Sequence, residues 1–370
     1  MTRQHLGLVF GGRSAEHEVS IESARCILEA LDPERYRVSL LAVDTEGRWW
    51  LGDPERALED AFGGTAVFLT GTPSTGLLVT EEGSGKTSQL ELDVAFPMVH
   101  GSHGEDGTLQ GLLELAEIPY VGSGVLSSAL QMDKDVAKRL LEAAGIPVVP
   151  GVVLRSPGSN SVPGSDLLSD AIDRIGFPAF VKPANSGSSL GTSRVERADD
   201  LAAAAAEAFR FDTKVLVERA IDAREIEVAV IGNDRPRASL PGEILCAGNF
   251  YDYDAKYADG STQLQIPARI SSALAADLSD VACRAFRALD AAGMARVDFL
   301  VDRQDQSFYV NELNSLPGFT HGSMFPRLWE ATGMALPALL DRLVELGLER
   351  HAQRSGLAYD APGPATRPSR

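Results

Sequence analysis

Two stretches of the chain place carboxylates and amides where a metal-bound phosphate could be held: Ala295-Arg-Val-Asp-Phe-Leu-Val-Asp302 and Phe308-Tyr-Val-Asn-Glu-Leu-Asn314. Both alternate apolar and polar residues with the period of a strand, and the residues between them read as a turn. Period-two alternation puts Arg296 and Asp298 on one face, and Glu312 and Asn314 on one face of the next strand. Pairing Asp302 with Phe308 sets Asp298 opposite Glu312 and Arg296 opposite Asn314, with opposed side chains roughly 5 Å apart. Two carboxylates that close repel unless a cation or a proton lies between them. The all-oxygen set Asp298, Glu312 and Asn314 suits Mg²⁺ or Mn²⁺, with phosphate oxygens completing the octahedron. Neutralising Asp298 is then expected to leave the metal-free protein equally or more stable.

A second string, Phe180-Val-Lys182-Pro-Ala-Asn-Ser-Gly187-Ser188-Ser189-Leu-Gly191, has a strand delivering a lysine into a loop of Gly and Ser. Such a loop can fold over phosphates with backbone N–H and hydroxyl donors. A third, Val215-Leu-Val-Glu218-Arg219, is followed by Glu225. A strand that reaches a hinge can present backbone groups to an adenine, and a carboxylate can hold a ribose hydroxyl. Taken alone, Glu218 and Glu225 read as surface residues. Gly83-Ser-Gly85-Lys86-Thr87 imitates the end of a Walker A loop, but Thr80 stands where that pattern needs glycine, so it is assigned to the surface. Gly11-Gly12 gives no dinucleotide fingerprint, which argues against a nicotinamide enzyme.

The elements that must carry these residues follow from the rest of the chain. Its 370 residues suffice for two or three domains. A formal net charge of -18 disfavours nucleic acid and anionic membranes as partners. No apolar stretch reaches the roughly 18 residues needed to span a bilayer, and the N-terminus lacks a signal-peptide pattern, so a cytoplasmic protein is expected. Cys26, Cys246 and Cys283 are far apart and read as buried free thiols. Strands are expected at 6–10, 37–43 and 94–99, and helices at 18–30 and 108–116. That rhythm predicts a parallel sheet with sites at its strand ends. Residues 71–90 read as a surface loop or hairpin, and 132–144 as one helix. Strands at 179–182 and 194–195 flank the small-residue loop, with helices at 201–209 and 273–291. From His351 onward a frayed tail is expected.

In this order the motifs resemble the D-alanine–D-alanine ligase family of the ATP-grasp superfamily, over about residues 4–350. The resemblance is carried by Phe10-Gly-Gly-Arg-Ser-Ala-Glu16-His-Glu-Val-Ser20, by His100-Gly-Ser-His-Gly-Glu-Asp-Gly-Thr-Leu-Gln-Gly111 and by Met132-Asp-Lys134. Phe250-Tyr-Asp-Tyr-Asp-Ala-Lys256-Tyr257 and Asn311-Glu-Leu-Asn-Ser-Leu-Pro-Gly318-Phe-Thr complete it. It implies an α/β (α+β) ATP-grasp fold. An N-terminal parallel-sheet α/β domain (1–122) would precede a central subdomain (123–218). A C-terminal subdomain (219–350) with a lid loop at 247–267 and a flexible tail (351–370) would follow.

By the same resemblance, Lys134 and Lys182 contact nucleotide phosphates, Glu218 the adenine amino group and Glu225 the ribose. The loop with Ser188 and Ser189 covers the phosphates, and Lys256 reaches the γ-phosphate from the lid. Glu16 binds the ammonium of a first D-alanine, with His100 close by, and Ser323 the carboxylate of a second. Glu16, Ser188 and Tyr257 form a hydrogen-bonded trio. Asp298, Glu312 and Asn314 hold the metal, two ions per site, and the protein is a homodimer. The implied reaction phosphorylates one D-alanine and lets the amine of the second attack the acyl phosphate, giving D-alanyl-D-alanine for peptidoglycan precursors. Arg296 and the Gly318 N–H would stabilise the oxyanion, and losing one such donor should cost roughly 3–4 kcal/mol of barrier. The lid would exclude water from the acyl phosphate.

Two alternatives stand beside this reading. A D-alanine–D-lactate ligase would remodel the lid, whereas the intact run from Tyr251 to Tyr257 favours the dipeptide. A non-catalytic ATP sensor would lose a metal ligand or the lid lysine, and Asp298, Glu312, Asn314, Lys256 and Arg296 are all present. The chain departs from the family pattern at Leu264, where a further tyrosine is frequent.

Overall fold

The structure is a computed structural model that describes residues 3–56, 58–70, 72, 77–80, 85–158, 162–245 and 263–357. Lys256, Tyr257, most of the 247–267 segment, Cys246 and residues 358–370 lie outside the described residues.

The described residues form three sheets. The first holds β1 (Gln4–Gly11), β2 (Tyr36–Val43), β3 (Trp49–Gly52), β4 (Thr65–Leu69), β5 (Leu77–Thr80), β6 (Thr87–Leu90) and β7 (Val94–Met98), in the order β6-β5-β4-β3-β2-β1-β7. β1 is parallel to β2 and β7, as the βαβ rhythm requires, with α1 (His17–Ala30) in the first crossover. The three expected strands are thus parallel, and the sheet extends past them through β3 to β6, which are antiparallel. The connection at 44–48 is too short for a crossover and can only make a hairpin. The 71–90 region contributes β5 and β6 as a hairpin, and residues 81–84 of the Walker-like string lie outside the described residues.

α2 (Thr108–Leu115), α3 (Val125–Met132) and α4 (Lys134–Ala143) lead to a four-stranded sheet. The helix expected over 132–144 is α4, which starts two residues later because α3 ends at Met132 and Asp133 separates the two. The Asp133 side chain accepts from Val136 N at 3.1 Å, capping α4. Lys134 therefore opens the helix instead of lying within one. The second sheet comprises β8 (Gly151–Arg155), β9 (Ala179–Pro183), β10 (Ser193–Val195) and β11 (Lys214–Arg219), ordered β10-β9-β11-β8 and backed by α5 (Ser165–Ile175) and α6 (Leu201–Ala208).

The third sheet comprises β12 (Ala223–Gly232), β13 (Arg237–Ala238), β14 (Gly242–Leu245), β15 (Gln263–Gln265), β16 (Gly293–Asp302) and β17 (Phe308–Asn314). Its main order is β15-β14-β12-β16-β17. One face packs on α7 (Ser272–Ala288) through Ile226, Val228, Val297, Phe299 and Val310 against Leu278, Ala282 and Phe286. The other face carries the polar residues. α8 (Met324–Ala331) and α9 (Leu336–Ser355) return to the first sheet, where Phe325, Trp329, Leu339 and Leu343 share one core with Leu6, Leu8 and Phe10. This core ties the two ends of the chain together beneath the site.

A frayed tail from His351 is not what the helix shows, because α9 continues to Ser355. Charged residues extend it past the apolar pattern: Arg350 stacks 4.1 Å over the Tyr120 ring, and Arg354 pairs with Glu114 at 2.6 Å. Cys26 is buried as expected, whereas Cys283 is only half-buried. Among the described residues no helix is long and apolar enough to cross a membrane.

Candidate active site

Three acids stand in line across three neighbouring strands. Glu227 on β12 pairs in register with Asp298 on β16, which pairs with Glu312 on β17; Arg296 lies opposite Asn314. The turn is one residue out from expectation, since Phe308 pairs with Val301 and not with Asp302. A β-bulge between Val310 and Glu312 absorbs the difference, so the acids meet as the alternation requires. It also turns Asn311 to the same side as Glu312, and Asn311 Oδ1 accepts from Lys182 Nζ at 3.2 Å.

The acids are not held apart by repulsion. The Arg296 guanidinium donates to both oxygens of Asp298, at 2.7 Å each, and lies 3.1 Å from Glu227 Oε2. Asn314 Nδ2 donates to Asp298 Oδ2 at 2.9 Å, and Lys134 Nζ pairs with Glu312 at 3.1 Å. Burial would lower the Arg296 pKa, but the charges of Asp298 and Glu227 more than offset it and hold it well above the ordinary value. The expectation that neutralising Asp298 leaves stability equal or higher is therefore reversed: the substitution breaks a bidentate ion pair.

On one side of this row lies a cavity of about 870 Å³ between the second and third sheets, a size suited to a nucleotide. Lys134, Lys182, Ser188, Ser189, Glu218 and Glu225 all line it. Lys134 donates to Ser186 O at 2.7 Å, which anchors the Gly/Ser loop. Ser188 and Ser189 have φ of 48° and 57°, a left-handed backbone that turns the loop back over the cavity. Glu218 is not a surface residue. It is 2% exposed and bonded by Lys138 and Lys182, the latter at 2.8 Å. Burial would raise its pKa, but the two ammonium groups hold it below the usual carboxylate range.

On the other side lies a second cavity, of about 530 Å³, lined by Glu16, His100, Ser188, Arg296, Gly318 and Ser323. Glu16 comes from the start of α1, and Ser188 Oγ donates to its Oε1. Two glycines crowd the same carboxylate: a Cβ on Gly187 would lie 2.9 Å from Glu16 Oε2, and one on Gly101 2.7 Å from it. His100, 4% exposed, donates from Nδ1 to Leu316 O at 3.1 Å and meets Ser23 Oγ through Nε2 at 3.1 Å. Ser23 Oγ in turn accepts from Phe319 N at 3.2 Å. Burial lowers the His100 pKa, and the neutral ring holds the 316–319 segment in place. Ser323 stands at the N-terminal end of α8, its Oγ paired with Thr320 Oγ1 at 2.9 Å, and a Cβ on Gly318 would sit 2.7 Å from that Oγ.

Both cavities touch Lys134, Ser188, Glu227, Arg296 and Glu312. A phosphoryl group held in the first could therefore be passed to an acceptor in the second across the row of acids and cations. Asp298, Glu312 and Asn314 are hard oxygen donors, which fits a divalent cation. Among the described residues no group of three or more His, Cys, Asp and Glu is placed to hold a metal ion. Such a cation would draw two carboxylates and an amide from the chain and its remaining ligands from substrate oxygens and water. Lys256 and Tyr257 lie outside the described residues.

Sequence reasoning missed several residues of the site. Glu227 follows Glu225 on the same strand face and was open to the period-two argument. Lys138 lies one turn from Lys134, where i,i+4 residues share a helix face. Glu105 is inside the 100–111 string; its carboxylate accepts from Gly101 N at 2.6 Å and from Leu316 N at 3.3 Å. Asn311 carries no signal, because a bulge is invisible in an alternating pattern.

A nucleotide-sized cavity between two antiparallel sheets, with lysines and acids at its floor, defines the architecture of an ATP-grasp enzyme. Residues 5–123 match the family described as D-ala D-ala ligase N-terminus, and residues 140–345 the one described as D-ala D-ala ligase C-terminus. The chain belongs to the D-alanine–D-alanine ligase family. A D-alanine--D-alanine ligase of Heliobacterium modesticaldum is 46% identical over 96% of this chain and 97% of its own. D-alanine--D-alanine ligase A of Chromobacterium violaceum is 49% identical over 95% and 96%. The solved D-alanine-D-alanine ligase from Coxiella burnetii superposes with a TM-score of 0.84 at 37% identity, covering 96% of this chain and 97% of that one. VanG D-Ala:D-Ser ligase from Enterococcus faecalis gives 0.83 at 32%, covering 94% and 100%. Use of ATP and a divalent metal goes with the family.

Proposed function

We propose that the chain joins two D-alanine molecules into D-alanyl-D-alanine at the expense of ATP, by way of D-alanyl phosphate, for peptidoglycan precursor synthesis. The observation that carries this reading is the link between Ser188 and Glu16. It ties an acid suited to an ammonium, in the smaller cavity, to a serine that lines both cavities, beside the row that would handle the phosphoryl group.

In this reading ATP lies in the larger cavity. Glu218 accepts from the adenine amine, Glu225 holds the ribose, and Lys134 and Lys182 neutralise the phosphates under the loop of Ser188 and Ser189. By family resemblance Lys256 would take the γ-phosphate and Tyr257 would join Glu16 and Ser188. Asp298, Glu312 and Asn314 would hold Mg²⁺ or Mn²⁺, two ions per site, whose positive charge would offset that of the phosphates. Glu16 orients the first D-alanine through its ammonium, so that its carboxylate faces the row. Ser323 and the N-terminus of α8 receive the carboxylate of the second. Arg296 and the Gly318 N–H meet the oxyanion formed as its amine attacks. His100 acts by fixing the 316–319 segment that carries this N–H. A homodimer, and a place in the cytoplasm where ATP and D-alanine meet, belong to the same proposal.

The test is phosphate release by purified protein with ATP and Mg²⁺, with D-alanine, D-lactate, D-serine or L-alanine offered side by side. D-alanine alone should give phosphate and dipeptide in equal amounts. Preference for D-lactate or D-serine as the second substrate at neutral pH would reassign the specificity. Folded protein that binds ATP but releases no phosphate would make it a sensor.

A further inference from the structure

Glu218 is held by two lysines that differ in their access to the cavity. Lys182 lines the cavity wall, pairs with Glu218 Oε2 at 2.8 Å and donates to Asn311 at 3.2 Å. Lys138 reaches Glu218 Oε1 from α4 and lines neither cavity. The side chains of Lys138 and Glu218 are 9% and 3% exposed. Lys138 follows Lys134 by one helical turn, so a single face of α4 sends one ammonium to Glu312 and the next to Glu218.

Lys182 is required in two places. In the proposed function it neutralises phosphates, whereas in the ligand-free structure it neutralises Glu218. It can leave only if Glu218 keeps another cation, because a buried carboxylate without a counterion is strongly disfavoured. We propose that Lys138 is the permanent counterion of Glu218, a positioning residue that frees Lys182 for the phosphates and keeps Glu218 an ionised acceptor selective for a base with an exocyclic amine over a 6-oxo base. Binding of the base and binding of the phosphates are then coupled, since an amine arriving at Glu218 Oε2 displaces Lys182 toward the phosphates. Burial lowers the Lys138 pKa to about 8, with Glu218 opposing that fall, so the ammonium form still prevails at neutral pH. The inference rests on Glu218 being the adenine contact, and the test separates the two.

Equilibrium binding of ATP, ADP and GTP to the full chain is compared for the parent, Lys138→Met, Lys138→Arg and Glu218→Gln, together with steady-state KM for ATP and for D-alanine. Lys138→Met should weaken ATP about tenfold or more and cut the ATP-over-GTP preference, with KM for D-alanine unchanged. Lys138→Arg should restore ATP binding to within about threefold. A merely structural lysine would lower the melting temperature without altering the ATP-to-GTP ratio. Loss of that ratio in Glu218→Gln with none in folded Lys138→Met overturns the role of Lys138. An unchanged ratio in both overturns the reading of Glu218 itself. If Lys138→Met does not fold, Lys138→Gln, which keeps the N–H donors and drops the charge, takes its place under the same criteria.

Discussion

Arg296 and Asp298 stand two residues apart on one strand and clasp each other through two hydrogen bonds of 2.7 Å. The guanidinium thus serves the acid that the proposed metal would need. Asp298→Asn leaves Arg296 with Glu227 and one amide oxygen. Without metal, stability should fall by about 1–3 kcal/mol, read by chemical denaturation. Turnover should fall much further. A variant as stable as the parent would mean that repulsion from Glu312 outweighs the clasp.

Because Arg296 holds Asp298 and Lys134 holds Glu312, metal alone has to compete for ligands that are already engaged. Millimolar Mg²⁺ without nucleotide should shift the melting temperature by less than about 1 °C. Mg²⁺ with ATP at about a hundred times its dissociation constant should add about 2.7 kcal/mol, a rise of roughly 3–4 °C. An equal rise with Mg²⁺ alone would show a metal site complete within the protein.

Gly187 and Gly101 press on the same carboxylate but differ in backbone. Gly187→Ala brings a methyl within 2.9 Å of Glu16 Oε2. It should raise KM for D-alanine about tenfold or more while the melting temperature stays near the parent's. Gly101 has a φ of 75°, so Gly101→Ala adds backbone strain and should lose stability as well, by about 1 kcal/mol or more. Equal KM values for Gly187→Ala and the parent would remove Glu16 from the substrate cavity.

Glu105 gives the protein a pH dependence. Burial, and then the charge of Glu16, pushes its carboxyl from 4.5 up to about 8. The folded chain therefore binds more protons than the unfolded chain between those two values. Stability from this group is complete below about pH 4.5 and is lost as pH rises toward 8. Glu105→Gln, which cannot ionise, should flatten the fall in melting temperature between pH 5 and pH 8. A fall of the same size in the variant would assign it to another group.

The acids of the site were legible because strand alternation is local: Asp298, Glu312 and Arg296 follow from period two alone. The sheet edges were less so. β3 and β4 are short and half-polar and were not read as strands, whereas β5 and β6 fall in the 71–90 stretch read as a loop or hairpin. Asp133 fell in the first turn of the expected 132–144 helix, whereas its cap to Val136 N places it just outside, a shift that no periodicity encodes. Lys138 and Glu218 look like surface charges until three-dimensional packing buries them together. The descent of α9 to Ser355 rests on Glu114 and Tyr120, more than two hundred residues earlier in the chain.

The bulge at Asn311 has a consequence for how charge is spaced along the cavity floor. A regular strand would turn only Glu312 and Asn314 to the polar face, whereas the extra residue adds Asn311 beside Glu312 in the larger cavity. Adjacent residues then take one lysine each: Asn311 receives Lys182, and Glu312 receives Lys134. A single peptide unit thereby sets the pitch between two positive charges that come from different elements before a nucleotide arrives.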